Sequence, residues 1–222
     1  MTEKSMIDIF YDVKNTINTP RPLDDGVSDK HEYHTYLQFY ENKMKPNRNN
    51  HIKLLEIGTL RGGSMMLWKR FFTDYEMHGL DYAKDPFNFC PLEDHPQYGQ
   101  PSPFEGELKG DSNIHLHFGI DSMDVKLSND NFENNYFDYI LDDGDHTGHG
   151  QYLTFVAYWS KLKSEGKYFI EDIRSIDRVP LLANFINQYM IDCRITGELA
   201  GFEVYDNSKQ RPDDIILMIT KK

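Results

Sequence analysis

Basic charge is scarce in this sequence. Its 222 residues hold 24 Lys+Arg against 36 Asp+Glu, a net charge of −12. Binders of bulk nucleic acid or of anionic membranes need a basic footprint, so both classes are disfavoured, although a local basic pocket is not. Cysteine is nearly missing: Cys90 and Cys193 are the whole complement. That excludes a disulfide framework and a four-cysteine zinc site. No stretch approaches the ~18 consecutive apolar residues that a membrane span requires. The opening MTEKSMIDIFYDVKN mixes charges into its apolar positions and has no signal-type apolar core. Repeats and low-complexity tracts are absent. These absences lead to the expectation of a soluble, cytoplasmic protein.

What is present fits one packed domain with a small appendage. Hydrophobic residues make up 39% and aromatics 14%, too many for a disordered chain. Met6, Phe10, Val13 and Ile17 recur at helical spacing and predict a helix ending before Pro20. A second helix is expected from a Ser28 cap to Met44, with Tyr33, Tyr36, Leu37 and Tyr40 on one face and His31 and His34 solvated. That stripe reads as packing or as the wall of a sugar cleft. Strands are expected at 52–57, 77–81, 114–118, 137–141 and 167–170, with helices at 64–72, 150–162 and 179–191. Residues 82–112 form one long irregular insertion. Alternating strands and helices imply a parallel, doubly wound, Rossmann-like sheet. Two closing strands around 206–212 predict a terminal antiparallel hairpin, the layout of class I methyltransferases. Ligands of such sheets bind at the carboxyl ends of the strands.

Three sets of residues point to chemistry. Glu56-Ile57-Gly58-Thr59-Leu60-Arg61-Gly62-Gly63-Ser64 follows a strand and opens a helix. It is not the dinucleotide glycine pattern, and its acid would welcome a cationic ligand; the bland alternative is a tight turn. Asp81 ends the second strand, where an acid can accept ribose hydroxyls. Asp142-Asp143-Gly144-Asp145-His146 and Glu171-Asp172 follow neighbouring strands, whose tips lie about 4.8 Å apart. Converging carboxylates repel one another unless a cation joins them, and all-carboxylate ligation selects Mg²⁺, Mn²⁺ or Ca²⁺. His146 stands within reach as a base. The competing reading has these acids capping the following helices. His115 and His117 share one face of the third strand, able to hold a metal or to form an ordinary polar face.

Together these motifs resemble the metal-dependent sugar O-methyltransferases, the group of the macrocin and mycinamicin O-methyltransferases and the cephalosporin hydroxylase-like proteins, over roughly residues 50–195. The resemblance implies an S-adenosylmethionine-dependent domain at 51–222, preceded by a helical segment at 1–50 that serves as a lid or in self-association. It implies cofactor contacts from Glu56, Gly58, Thr59, Arg61, Gly63 and Ser64 at the amino-acid end. Asp81 would lie at the ribose, with Asp121, Ser122 and Asp142 also in the cofactor site. It implies Mg²⁺ on Asp143, Glu171 and Asp172, His146 as general base, and a glycan, nucleotide sugar or glycosylated natural product as acceptor. Nucleic acid is not an expected partner. After Glu171-Asp172 the family often carries a histidine-bearing loop; here the residues are Ile173-Arg174-Ser175. Two other readings stand beside this one. The first is a catalytically silent protein that binds S-adenosylmethionine or a nucleotide sugar. The second is a hydroxylase-type oxidoreductase, which wants two histidines and one carboxylate around iron.

Overall fold

The computed structural model describes residues 3–17, 27–88 and 102–222. Pro20, Cys90 and the middle of the insertion lie outside them. Helix α1 (Met6–Thr16) starts where Ser5 and Asp8 close a reciprocal capping box. It buries Met6, Ile9, Phe10 and Val13, much as the spacing predicts, and packs on α2 (Leu37–Met44) and α3 (Gly63–Phe71).

Helix α2 is shorter than the expected 28–44. Ser28 spends its hydroxyl on the Lys30 N–H at 3.3 Å, a local turn that competes with helix. The Asp29 carbonyl then accepts from His34, and the Lys30 carbonyl accepts from both Tyr36 and Leu37, loops wider than a helical turn. The tyrosine stripe therefore does not share one helix. Tyr36 and Tyr40 are core residues, and the Tyr40 ring meets Trp68 at 5.2 Å. His34, expected in solvent, is buried and stacks on Tyr36 with ring centroids 4.7 Å apart.

The strands are β1 (His51–Ile57), β2 (Asp74–Asp81), β3 (Ile114–Phe118), β4 (Phe137–Asp142), β5 (Leu162–Ile170), β6 (Leu199–Asp206) and β7 (Ile215–Lys221). They form a seven-stranded sheet in the order β3-β2-β1-β4-β5-β7-β6. β2 with β3, β1 with β4, and β4 with β5 run parallel. β7 is antiparallel to both β5 and β6, so the expected terminal hairpin is present. The remaining helices are α4 (Glu105–Lys109), α5 (Val125–Asn131), α6 (Gly148–Tyr158) and α7 (Arg178–Asp192). The sequence reading missed α5, and it missed α4, which lies within the stretch 82–112 expected to be irregular throughout. The start of α5 is set by Asp124, whose carboxylate accepts the Lys126 and Leu127 N–H groups. The chain packs as two compact units, residues 1–52 with 59–119, and residues 53–58 with 120–222.

In the first unit, Asp111 anchors the exit from the insertion into β3. One carboxylate accepts from the Lys69 ammonium at 2.6 Å, the Tyr75 hydroxyl at 2.8 Å and the Asn113 N–H at 3.0 Å. Burial alone would raise this carboxyl, but Lys69, Asn113 and Tyr75 together hold it below the usual carboxylate range. Its contribution is present above about pH 4 and is lost as the pH falls further and the group takes up a proton. Asp111→Ala is therefore expected to cost about 2 kcal/mol in urea melts at pH 7. The difference from the parent should shrink at pH 3.

Candidate active site

In the second unit the ends of β1, β4 and β5 are level. Ile57 pairs with Asp142, and Asp142 with Ile170. Just past these pairs the main chain stitches the tips together. The Asp143 N–H donates to the Ile57 carbonyl at 2.9 Å, and the Glu171 N–H to the Asp142 carbonyl at 3.0 Å. Gly58 turns away from β1 with φ +85°, and a Cβ there would lie 2.0 Å from the Asp143 carbonyl oxygen. The glycine is thus required by the approach of two strand ends.

The acidic boxes meet at this edge. Asp143, His146 and Asp172 each bring a ligand atom within 4.8 Å of the others. The His146 Nε2 is 3.3 Å from an Asp143 carboxylate oxygen, and its Nδ1 is 3.6 Å from one of Asp172. The shorter contact is an ion-pair approach, since Nε2 makes no hydrogen bond among the described residues. Contact with Asp143 pushes the imidazole up to about 9, against burial and with added help from Asp172. Asp172 has φ +53°, a left-handed backbone that costs a non-glycine residue about 1 kcal/mol. Glu171 is buried, and its carbonyl is pinned by the Gln151 side-chain amide at 2.9 Å. It stands outside the set of three converging groups.

The helix-capping alternative is assigned to other atoms. Thr147 caps α6 by accepting the Gly150 N–H, and Asp145 accepts the Thr147 N–H at 2.7 Å. Asp142 is buried, which pushes its carboxyl up to about 8. The Ser122 hydroxyl pairs with that of Thr154 at 3.1 Å, and Asp121 accepts the Met123 N–H at 2.9 Å. Glu56 is fully buried in β1.

In the first unit, Asp81 is positioned by main-chain donors. Its two oxygens accept the Leu60 N–H at 2.7 Å and the Ala83 N–H at 2.8 Å. Thr59, Arg61 and Ser64 are buried. The Thr59 hydroxyl makes no hydrogen bond among the described residues, which leaves it available to a polar ligand. A Cβ at Gly63 would lie 1.2 Å from the Val27 carbonyl oxygen, so this glycine too is demanded by packing. His115 and His117 are joined on β2 by His78, which burial pushes down to about 4.

A cavity of about 480 Å³ opens beside His146. Its walls include Tyr152, Arg174, Arg178, Leu181, Leu182 and Phe185. The α7 contributors follow the helical spacing i, i+3, i+4, i+7 from Arg178 to Phe185. Leu181 and Phe185 are exposed. Such a stripe reads in sequence as ordinary packing, which is why these wall residues were missed; their basic member, Arg178, was the available signal.

Comparison with known proteins adds a relationship. No family model matches the chain. It is 25% identical over 155 residues to the 8-demethyl-8-alpha-L-rhamnosyl tetracenomycin-C 2'-O-methyltransferase of Streptomyces olivaceus, covering 67% of this chain and 35% of that protein. It is 26% identical over 149 residues to the mycinamicin VI 2''-O-methyltransferase of Micromonospora griseorubida, covering 63% of this chain and 32% of that protein. Among solved structures, the MycE methyltransferase from the mycinamycin biosynthetic pathway, in complex with Mg and SAH, superposes with a TM-score of 0.62. That match has 18% identity and covers 99% of this chain and 55% of the other. An O-methyltransferase from Bacillus cereus in complex with SAH gives a TM-score of 0.57 at 15% identity, covering 100% and 93% of the two chains.

The chain is related to the sugar O-methyltransferases and has a class I methyltransferase fold. It spans about a third of the length of the curated relatives it matches. On a class I methyltransferase sheet the carboxyl ends of the strands are the ligand-binding edge. In this methyltransferase-fold chain that is where Gly58, Asp143 and Glu171 lie. Among the described residues no helix is long and apolar enough to cross a membrane.

Proposed function

We propose that this chain transfers the methyl group of S-adenosylmethionine to a hydroxyl of a sugar-containing acceptor, with a divalent cation, Mg²⁺, at the β4 and β5 tips. The observation that carries the proposal is the convergence of Asp143, Asp172 and His146 at the carboxyl ends of adjacent parallel strands.

The donor set fits a hard cation, since carboxylate oxygens are its preferred ligands. Asp143 and Asp172 would hold it, and Glu171, buried one residue before Asp172, is proposed as a further ligand. A cation held there supplies positive charge that lowers the pKa of a nearby hydroxyl and orients it. The two carboxylates also set the state of His146. Their charge keeps it protonated, and neutralising that charge frees the ring to take the acceptor's proton. Glu56 is proposed to attract the cationic sulfonium cofactor by its carboxylate charge, and Thr59, whose hydroxyl makes no hydrogen bond among the described residues, is proposed as a polar contact. Asp81 is proposed at the ribose. The cavity beside His146 has the volume usual for a small-molecule site. A sugar ring fits against Tyr152, with an apolar aglycone toward Leu181 and Phe185.

Incubation with methyl-labelled S-adenosylmethionine and a panel of glycosylated acceptors tests the reading. Labelled sugar should form with Mg²⁺ and stop on adding EDTA. A chain that binds S-adenosylhomocysteine yet labels no sugar on the panel would overturn the sugar assignment. Turnover that survives EDTA would overturn the metal.

A further inference from the structure

A second set of donors lies on the other unit, on β2 and β3. In the parallel register His78 pairs directly with His115. Side chains two residues apart share a strand face, so Glu76 and His117 join that pair on one face. Glu76, His78 and His115 each place a ligand atom within 4.8 Å of the other two. The His78 Nε2 is 3.0 Å from a Glu76 oxygen, and its Nδ1 is 3.0 Å from the His117 Nε2. The rings of His78 and His115 have centroids 4.7 Å apart. His78 is buried and His115 exposed, so the cluster is anchored at one end and open to solvent at the other.

From this geometry we infer that Glu76, His78 and His115 form a zinc-binding site, with His117 orienting His78 from behind. The ligand class follows from the donors. Two imidazoles and one carboxylate suit zinc and other borderline transition ions, whereas Mg²⁺ prefers oxygen. Ligand atoms around a tetrahedral zinc lie about 3.3 Å apart, given bonds of about 2.0 Å. The Glu76–His78 pair is already that close, and side-chain rotation of the exposed His115 brings in the third. A fourth position stays open to water.

The hydrogen bonds support the same assignment. A carboxylate only accepts, so the His78 Nε2 carries the proton toward Glu76, and Nδ1 accepts from His117. A cation takes the place of that Nε2 proton. Each imidazole stays neutral with its proton moved to the other nitrogen, and the His78–His117 bond persists with its direction reversed. Ligating histidines commonly donate their second nitrogen to such a partner. The site clips β2 to β3, the last strand at that end of the sheet order.

The test is a calorimetric zinc titration of full-length Asp143→Ala, a background that weakens the acidic cluster of the other unit. One zinc ion should bind. Adding His115→Gln or Glu76→Gln should weaken it at least about tenfold, and adding His117→Ala should weaken it about 10–100-fold. His115 is exposed, so its replacement leaves the fold intact, as circular dichroism would verify. Zinc should also raise the melting temperature of Asp143→Ala and leave that of Asp143→Ala/His115→Gln unchanged. Absence of zinc binding by Asp143→Ala, or equal binding by Asp143→Ala/His115→Gln, would overturn the site.

Discussion

Asp143→Ala is expected to reduce methyl transfer at least about a hundredfold, the scale on which removing one preorganised charge from a reacting centre is felt. Two losses coincide in this variant. One of the three carboxylates proposed to hold the cation disappears, and so does the main influence on His146. The fold should survive, because the main-chain N–H that Asp143 gives to the Ile57 carbonyl is retained by alanine. S-adenosylhomocysteine binding should therefore remain measurable by calorimetry while Mg²⁺-dependent turnover vanishes. Asp143→Asn should fall nearly as far, since it keeps the shape and loses the charge. Full activity of Asp143→Ala in EDTA would remove the metal from the mechanism.

Gly58→Ala is expected to destabilise the protein by roughly 2–5 kcal/mol. A left-handed alanine costs about 1–2 kcal/mol, and forcing a methyl into filled space adds about 1–3. The filled space is the carbonyl of Asp143, 2.0 Å from the new Cβ. On a stability of about 5–15 kcal/mol this is a large fraction, equivalent to a melting temperature lower by about 10 °C for a chain of this size. The damage is directional, because relief requires the β1 and β4 ends to part. Activity should fall more than the folded fraction does. Gly197→Ala is the control: its Cβ meets nothing within 4 Å, so its melt should match the parent. Equal melts for Gly58→Ala and the parent would contradict the close approach of the two strand ends.

The sequence made the sheet legible because its strands are short apolar runs between glycines and acids, and because parallel strands put those acids at one edge. Asp143, Asp172 and His146 could be paired from that logic alone. The α2 start could not be read in the same way. Ser28 is a good cap by type, but its hydroxyl closes a local turn and the helix begins at Leu37. His34 was misplaced in solvent for the same reason, since periodicity does not hold where the backbone is irregular, whereas Tyr36 and Tyr40 pack in the core as the packing reading of the stripe had it. α5 was invisible because a seven-residue helix with one buried residue, Ser128, shows almost no pattern. His115 and His117 were visible as a pair. Their partners Glu76 and His78 belong to a strand 37 residues away by the His78–His115 pairing, and register is not encoded locally.

The stitching of the β1, β4 and β5 ends has an evolutionary consequence. The bonds made by the N–H groups of positions 143 and 171 run between main-chain atoms, which every amino acid except proline at the donor can supply. Side chains at these positions can therefore change without breaking those two bonds. A lineage can trade a carboxylate for an imidazole or an amide there, changing its preferred ion or losing turnover altogether, and still inherit the same socket.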